Sequence, residues 1–220
     1  MKTLVGTAKR IVPLLALASI LPVLVGCPGI IELKSKVATG GPAKSTVAPI
    51  LYDDFEKGFG GGWTYACTEG GASVALAESD QVVHGGKKAL MATYKSGTGS
   101  WGAGFGWTTP YTPKLGYFNA KGTIGVELWA KGPRGATFQV SLKEGTQNGG
   151  DGEVYLAPQG TCSGGWKHFM FTYDGFTRSI YSGNQAGDDQ LDIASLGSID
   201  IQLSEKQGDG ILYIDDIYFK

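Results

Sequence analysis

The feature that most constrains the fold of this chain is an alternation of apolar and polar residues, broken at short intervals by glycine. The alternation occurs in segments such as "ATFQVSLKE", "IGVELWAK", "WKHFMFTY" and "SIDIQLSE", and it is typical of β-strands with one buried face. Runs such as "GPRG", "NGGDG" and "KQGDG" separate them as turns. Glycine makes up 36 of 220 residues, against a usual share of about 7%. No segment keeps a helical period for three turns, so we predict an all-β fold, a single antiparallel β-sandwich of the jelly-roll type.

The first 26 residues have the layout of a secretory signal peptide, with three cations before an apolar run. The run ends at "LVGC", Leu24 to Cys27, which resembles the lipobox of bacterial lipoproteins, where the chain is cut before a cysteine that is then acylated. We therefore expect residues 1–26 to be a lipoprotein signal peptide and Cys27 to be lipidated. The mature protein would be exported and anchored by lipid to a bacterial membrane, either the outer membrane or the cell surface. A plain signal peptide or a short membrane anchor is the alternative, but the apolar run is short for a spanning helix.

Residues 27–49 are poor in aromatics and rich in Lys, Gly, Ala, Thr and Pro, which favours a flexible tether in front of a domain at 50–220. Loss of residues 1–26 removes three cations and no acid, so the net charge falls from −1 to −4. Nucleic-acid binders usually carry a basic footprint, and we expect no nucleic-acid partner here. The remaining length suits one sandwich domain, which we expect to be a monomer.

Two cysteines, Cys67 and Cys162, remain in the predicted domain, both in loop-like surroundings. Export permits a disulfide between them, and two free thiols are the alternative. No CxxC or Cys/His spacing points to metal ligation by these cysteines.

Two pairs of aspartates stand in apolar, strand-like sequence, one in "ILYDDFE" near residue 54 and one in "LYIDDIYF" near residue 215. A buried carboxylate is costly unless a partner neutralises it. The first and last strands of a jelly roll commonly lie side by side, so the two pairs can converge. Calcium takes six to eight oxygens from carboxylates and carbonyls without a continuous motif. We therefore predict a structural Ca²⁺ site, with acids exposed at a sheet edge as the alternative.

Common catalytic motifs are absent from the sequence, which has no GxSxG, P-loop or HExxH. "GAGFG", Gly102 to Gly106, lies in strand-like sequence and opens no helix, which argues against dinucleotide binding. The nearest approach to a glycosidase carboxylate motif is Asp151-x-Glu153 in a loop. We therefore expect that the protein is not an enzyme, and keep a divergent glycoside hydrolase as an alternative.

A family resemblance extends from Ile50 to Lys220. Its segments occur in the order seen in carbohydrate-binding modules of family 11: "ILYDDFEKGFGGGW", "VVHGGKKALMATY", "WGAGFGW", "VSLKEGTQNGGDGEVYLAP", "GWKHFMFTYDGF", "LDIASLGSIDIQL" and "GILYIDDIYF". The wider group includes modules related to complex I intermediate-associated protein 30, with a galactose-binding-like sandwich. The most specific part is "NGGDGEVY" followed by a proline and "GWK". The resemblance implies a concave sheet face that binds β-1,4 and mixed-linkage β-1,3-1,4 glucans.

The resemblance also implies a set of calcium ligands. They are the carboxylates of Glu56 and Asp215, with backbone oxygens near Asp54 and Lys88. The two acid pairs would then serve one structural site.

Carried over by position, the sugar contacts of the family fall on Tyr65, Trp101, Asp151, Arg178 and Tyr181. The match is loose at Arg178 and Tyr181, because this chain is about one residue shorter there.

Five further positions bear on the sequence-based site, and one of them, Trp129, is added to it. Where the family has a tyrosine in the penultimate strand, this chain has Leu203. Trp129 joins the candidates by alternation, since it shares the outer face of its strand with Glu127. For Trp63, Trp107 and Trp166 we expect core or edge packing.

The leading hypothesis is a cell-envelope lipoprotein that binds a β-glucan-type polysaccharide without catalysis. The alternatives are a structural or adhesion lipoprotein with no affinity for sugar, and the divergent glycosidase.

Overall fold

Two antiparallel sheets hold the strands of the domain. The computed structural model describes residues 44–58, 62–98, 101–107, 109, 117–146, 150–204 and 207–220, so the predicted signal peptide, Cys27 and most of the tether lie outside the described residues. The strands are β1 (Ile50–Asp53), β2 (Gly62–Ala66), β3 (Ser73–Ser79), β4 (Ala89–Lys95), β5 (Ala103–Trp107), β6 (Gly125–Lys131), β7 (Thr137–Glu144), β8 (Glu153–Leu156), β9 (Gly160–Thr161), β10 (Lys167–Thr172), β11 (Thr177–Gly183), β12 (Leu196–Leu203) and β13 (Asp209–Phe219). In these parts of the chain, no helix is long and apolar enough to cross a membrane.

Sheet A has the strand order β10-β6-β13-β4-β3, with β1 also paired to β13. Sheet B has the order β11-β8-β7-β12-β5-β2, with β9 also paired to β7. The pairing of β1 with β13 places Ile50 opposite Phe219, so the first and last strands are neighbours. The predicted all-β antiparallel sandwich is confirmed.

The core lies between the sheets and follows the alternation in the sequence. On β7, Phe138, Val140 and Leu142 are fully buried, and β6 contributes its own buried set, Val126, Leu128 and Ala130. Burial of a large apolar side chain stabilises a fold by about 1.5–3 kcal/mol. The alternation therefore decides which face of each strand turns inward.

Tyr52 on β1 ties the two sheets together. Its ring packs edge-on against Trp107 and Phe219, with centroids 6.1 and 5.8 Å away. Its hydroxyl donates to the carbonyl of Trp107 at 2.9 Å and accepts the amide of Ile199 at 3.2 Å. The buried phenol therefore links β1 of sheet A to β5 and β12 of sheet B through hydrogen bonds.

The "GAGFG" segment leads into β5, as its strand-like surroundings predicted. Ala103, Phe105 and Trp107 of this strand are buried in the core. Gly104 and Gly106 therefore face the outer side of sheet B, where they lie against Tyr65 and Trp63.

Candidate functional site

A groove of about 830 Å³ lies on the outer face of sheet B. It crosses the sheet from β2 to β11. The strand alternation explains its lining, because β12 turns Asp200 and Gln202 outward while Ile199, Ile201 and Leu203 are in the core. Leu203 is therefore a core residue, and the groove position next to it is Gln202.

Three aromatic side chains form one end of the groove. Trp63 and Tyr65 come from β2, and Trp101 precedes β5. The rings of Tyr65 and Trp101 are 6.0 Å apart and tilted by 33°. Trp63 and Trp101 are each 39% exposed, so both present ring surface to solvent.

The glycines of β5 make room for these rings. A Cβ at Gly104 would stand 2.4 Å from ring carbons of Tyr65, and one at Gly106 would stand 2.7 Å from Trp63. Both distances are far inside van der Waals contact. The rings of β2 therefore lie against a strip of sheet that carries no side chains.

Trp63 lies on β2, an edge strand of sheet B, which agrees with the expectation that it packs in the core or at an edge. That expectation did not include the groove, but the indole of Trp63 lines it. Its neighbour on β5, Trp107, is a core residue, 1% exposed. The glycine at every second position of "GAGFG" is the sequence signal for this packing, since it leaves room for a bulky side chain on the next strand.

Tyr181 on β11 forms the other end of the groove. Its side chain is 90% exposed. The two ends thus carry aromatic rings, and the floor between them carries both polar and apolar side chains.

The floor is built from β7, β8 and β12, and β8 contributes the apolar side chains of Val154 and Leu156. Ser141 and Lys143 project from β7, and Asp200 and Gln202 from β12. The amide of Gln202 donates to the carbonyl of Trp101 at 3.1 Å, which links the floor to the aromatic end.

Asp200 is the carboxylate of this floor. Burial raises its pKa to about 6, against opposing effects from a hydrogen bond with Ser198 and the charge of Lys143. Burial also raises the pKa of Tyr65, and the charge of Asp200 adds to that effect. A partly buried carboxylate between rings is suited to accept hydrogen bonds from hydroxyl groups.

Arg178 does not face the groove. Its cross-strand partner on β8 is Tyr155, which is buried in the core, whereas Val154 and Leu156 on either side of Tyr155 line the groove. Arg178 therefore projects to the side of β11 opposite the groove. There its Nε lies 2.6 Å from Oε1 of Glu153, and its Nη1 contacts Asp189. The structure therefore gives Arg178 a supporting position behind the groove, where the family resemblance had implied a sugar contact.

Asp151 lies behind the groove as well. Its carboxylate accepts the amides of Asp188 at 3.0 Å and Glu153 at 3.3 Å. Together with Glu144 and Glu153 it forms an acidic cluster whose oxygens lie within 4.8 Å of one another. The expected sugar contact is not supported by this position.

Trp129 belongs to the other sheet. It lies on β6 with its ring stacked on His84 at 3.9 Å, and His168 is its cross-strand neighbour. Glu127 shares this outer face, where it pairs with His168 at 3.1 Å. The alternation correctly predicted an outer face, but that face is on sheet A, away from the groove. Trp166 also lies there, edge-on to His84.

A sequence profile described as "Carbohydrate binding domain (family 11)" matches residues 38–219. The chain belongs to carbohydrate-binding module family 11. The family expected from the sequence segments is thereby confirmed, and the chain is a carbohydrate-binding module, a class of domain that is not catalytic.

Solved structures agree with this family 11 fold. The family 11 module from Clostridium thermocellum in complex with a β-1,3-1,4-mixed-linked tetrasaccharide is 21% identical, with 80% of this chain and 96% of that chain covered and a TM-score of 0.60. The family 11 module of the cellulosomal cellulase Lic26A-Cel5E of the same organism is 19% identical over 80% and 95%, with a TM-score of 0.58. A family 30 carbohydrate-binding module is 11% identical over 79% and 88%, with a TM-score of 0.53. No curated protein matches the chain.

The two acid pairs of this family 11 module have different surroundings. Asp53 is 1% exposed and lies in the core, where it accepts Nε1 of Trp107 at 3.1 Å and the amide of Phe55 at 2.9 Å. Burial raises its pKa to about 6. Asp53 is therefore a core acceptor, while Asp215 and Asp216 contact the loop at residues 84–88.

Glu56, in the turn after β1, and Asp215, on β13, both accept hydrogen bonds from that loop. Oε1 of Glu56 accepts the amides of Lys87 at 2.6 Å and Lys88 at 2.8 Å. Oδ2 of Asp215 accepts the amides of His84 at 2.8 Å and Gly85 at 3.2 Å. The structure thus brings both predicted carboxylate ligands to one loop.

Asp215 is fully buried, and burial raises its pKa to about 6, with a further contribution from the charge of Asp216. Asp54 lies two residues before Glu56, and its carboxylate accepts the amide of Glu56 at 3.2 Å. A cation between carboxylates and backbone carbonyls would relieve the cost of burying this charge. Carboxylate oxygens are ligands of the kind that Ca²⁺ takes, and in this structure those of Glu56 and Asp215 each accept two backbone amides.

The acidic cluster of Glu144, Asp151 and Glu153 is a different arrangement. Glu144 accepts the amides of Asp192 at 2.6 Å and Asp151 at 3.3 Å, and the amide of residue 189 donates to Glu153 at 3.1 Å. Burial is the main effect that raises the pKa of Glu144 to about 7, and the neighbouring Asp151 adds to it. These carboxylates fasten the loop that follows β11 to the back of sheet B.

Both cysteines are free thiols. Cys67 follows β2 and is half-buried, whereas Cys162 follows β9 and is 3% exposed. Burial raises the pKa of the Cys162 thiol to about 11, so it is a thiol and not a thiolate at neutral pH. The disulfide considered for this pair is not formed.

Proposed function

We propose that the groove of sheet B binds a β-1,4-linked or mixed-linkage β-1,3-1,4 glucan without catalysis. The observation that carries the proposal is the combination of exposed aromatic rings at both ends, Trp63 and Trp101 at one and Tyr181 at the other, with polar side chains on the floor between them. The β-1,3-1,4-mixed-linked tetrasaccharide bound by the Clostridium thermocellum module supports this choice of ligand class.

The chemistry of the groove suits an extended sugar chain. A β-linked glucose unit has two apolar C–H faces and a rim of equatorial hydroxyls, so rings stack on its faces while polar groups meet its edge. Asp200 accepts hydrogen bonds, Lys143 donates them, and Gln202 does both. Six strands at about 4.8 Å spacing make a floor roughly 24 Å wide, which is long enough for a short oligosaccharide.

Hydrolysis of a glycosidic bond usually requires a second carboxyl group beside Asp200. Most glycoside hydrolases use two carboxyl groups, about 5 to 10 Å apart, on either side of the scissile bond. Within the groove lining that the structure describes, Asp200 is the one carboxylate. This favours the binding proposal over a divergent glycosidase.

Calorimetry tests the proposal. Mixed-linkage β-glucan, cellohexaose and xylan oligosaccharides are titrated into the purified protein, and heat is expected with at least one β-glucan. Tyr65→Ala should weaken that binding, while Trp166→Ala, on the other side of the sandwich, serves as the control. No heat with any β-glucan would favour the structural or adhesion lipoprotein.

We further propose that the module is held at the cell envelope by a lipid on Cys27. The support is the sequence "LVGC" at the end of an apolar run. Cys27→Ser should abolish uptake of labelled fatty acid and membrane partitioning. Equal partitioning of the variant and the native protein, with no label in either, would contradict the lipid anchor.

Finally, we propose that one structural Ca²⁺ is held by Glu56 and Asp215, with the backbone carbonyls of Asp54 and Lys88. The support is the convergence of both carboxylates on residues 84–88 and the burial of Asp215. The ion would fasten β1 and β13 to this loop.

A further inference from the structure

β11, an edge strand of sheet B, loses its regular pairing with β8 beside the groove. β11 pairs with β8 at Thr177, Arg178 and Gly183, and the register shifts between the last two. The residues between them form a bulge, in which Ile180 is 72% and Tyr181 90% exposed. Bulges re-aim side chains and are common beside functional sites.

Ser179 holds this bulge from inside. Its side chain is buried, 4% exposed, and its hydroxyl oxygen accepts the amide of Tyr181 at 3.3 Å and the amide of Ser182 at 3.2 Å. The hydroxyl of Ser182 donates to the same oxygen at 2.8 Å. One buried oxygen thus organises the two residues that follow it on the groove side.

Gln185 holds the bulge from outside. Its side-chain amide reaches the carbonyls of Ser179 at 3.2 Å, Ser182 at 2.8 Å and Gly183 at 3.4 Å. These carbonyls flank the bulge on both sides. The side chain of Gln185 is exposed, so it contributes little to the core of the sandwich.

The ring of Tyr181 has little packing of its own, because nine-tenths of its surface is exposed. Its position relative to the groove is therefore decided by the backbone that carries it. A loop that is ordered before the ligand arrives saves the entropy of ordering it on binding.

We propose that Ser179 and Gln185 are positioning residues that hold the β11 bulge so that Tyr181 stacks on a sugar ring at this end of the groove. The inference rests on the proposed glucan binding. The bonds of Ser179 set the direction of Tyr181, and the amide of Gln185 prevents the bulge from reopening.

Calorimetric titration with mixed-linkage β-glucan tests this role on Ser179→Ala and Gln185→Ala. Loss of the hydrogen bonds is expected to weaken binding about 2- to 10-fold in each variant, the range for net hydrogen-bond contributions. Gln190→Ala, an exposed glutamine of the same loop, is the matched control and should bind as the native protein does. Ser179→Thr retains the hydroxyl and should recover most of the affinity.

A double-mutant cycle separates positioning from general support. In the Tyr181→Ala background, Ser179→Ala and Gln185→Ala should cause no further loss of affinity, because the ring they hold is gone. Additive losses would overturn the proposal, since these residues would then act on the groove by another route.

Hydrogen exchange in the absence of ligand gives a readout that does not depend on binding. The amides of Tyr181 and Ser182 should exchange faster in Ser179→Ala than in the native protein, with an unchanged melting temperature. Unchanged exchange at both amides overturns the positioning role, as does faster exchange with native affinity. Absence of any heat with the native protein, by contrast, refutes the proposed glucan binding itself and with it the role of Tyr181 in stacking.

Discussion

Gly106→Ala is the most informative single change, because it adds one methyl group at the point where Trp63 and Asp200 meet. A Cβ at this position would stand 2.7 Å from Trp63 and 2.0 Å from Oδ1 of Asp200. Carbon atoms pack best at about 3.5–4.0 Å, so the indole must move by roughly 1 Å and the carboxylate must rotate away. We therefore expect the substitution to disturb the aromatic end of the groove and its floor together.

The expected loss of affinity can be worked out from these contacts. Displacing one stacking ring removes up to the apolar contact of one aromatic face, about 1–3 kcal/mol. A loss of 1.4 kcal/mol is tenfold in the dissociation constant, so binding of β-glucan should weaken at least about fivefold.

The expected loss of stability is smaller. Overpacking costs about 1–3 kcal/mol in a tight core, but both displaced side chains lie on the groove surface and have room to move. Alanine in place of glycine in a strand also recovers about 0.5–1 kcal/mol of backbone entropy. The free energy of unfolding should therefore change by less than about 2 kcal/mol.

The assay compares Gly106→Ala with Gly165→Ala, where an added Cβ would have no heavy atom within 4 Å. Both variants are titrated with mixed-linkage β-glucan and melted in parallel. Native affinity in Gly106→Ala would refute the reasoning, because Trp63 and Asp200 would then be irrelevant to the ligand. Equal weakening in both variants would refute it as well.

Three further predictions concern the acids and the outer tryptophans. Burial raises the pKa of Asp53, Asp200 and Asp215 to about 6, above about 3.9 for an unfolded chain, so their contribution to stability is present below pH 4 and is lost as pH rises through 6. In chelator the melting temperature should rise from pH 7 to pH 5, and Asp53→Asn should reduce that rise; a flat profile would contradict the assignment. At neutral pH, chelation should lower the melting temperature of the native protein, since a ligand of the folded state stabilises it, but not that of Asp215→Asn; no calcium in the purified protein and no response to chelator would disprove the site. Trp63→Ala should weaken glucan binding at least about fivefold and Trp129→Ala should leave it unchanged in calorimetry, whereas the reverse order would move the site to sheet A.

The candidate site was only partly predictable. Tyr65, Trp101 and Tyr181, assigned by family resemblance, do line the groove, whereas Asp151 and Arg178, assigned in the same way, lie behind it. The register shift in β11 falls between Arg178 and Gly183, and where a strand bulges, position along the sequence no longer tells which side of the sheet a residue faces.

What the sequence by itself determined is the class of fold and the inward face of most strands. Alternation has a period of two, and each strand must bury its apolar set, so the apolar positions of "ATFQVSLKE", Phe138, Val140 and Leu142, lie in the core. Glycine-rich turns and the absence of helical periodicity were enough for an antiparallel sandwich.

Only the tertiary structure decided which outer face is the groove. Alternation places Trp129 on an outer face, but a sandwich has two such faces, and the strand order that separates them arises from pairings distant in sequence. Trp63 pairs with Gly106 across β2 and β5, whereas Trp129 pairs with Asp215 and His168 in sheet A. The physical reason is that a strand's own sequence specifies which of its sides is buried. Its neighbouring strands are fixed by the packing of the whole domain, and they determine whether an aromatic ring contacts a glycine or a histidine.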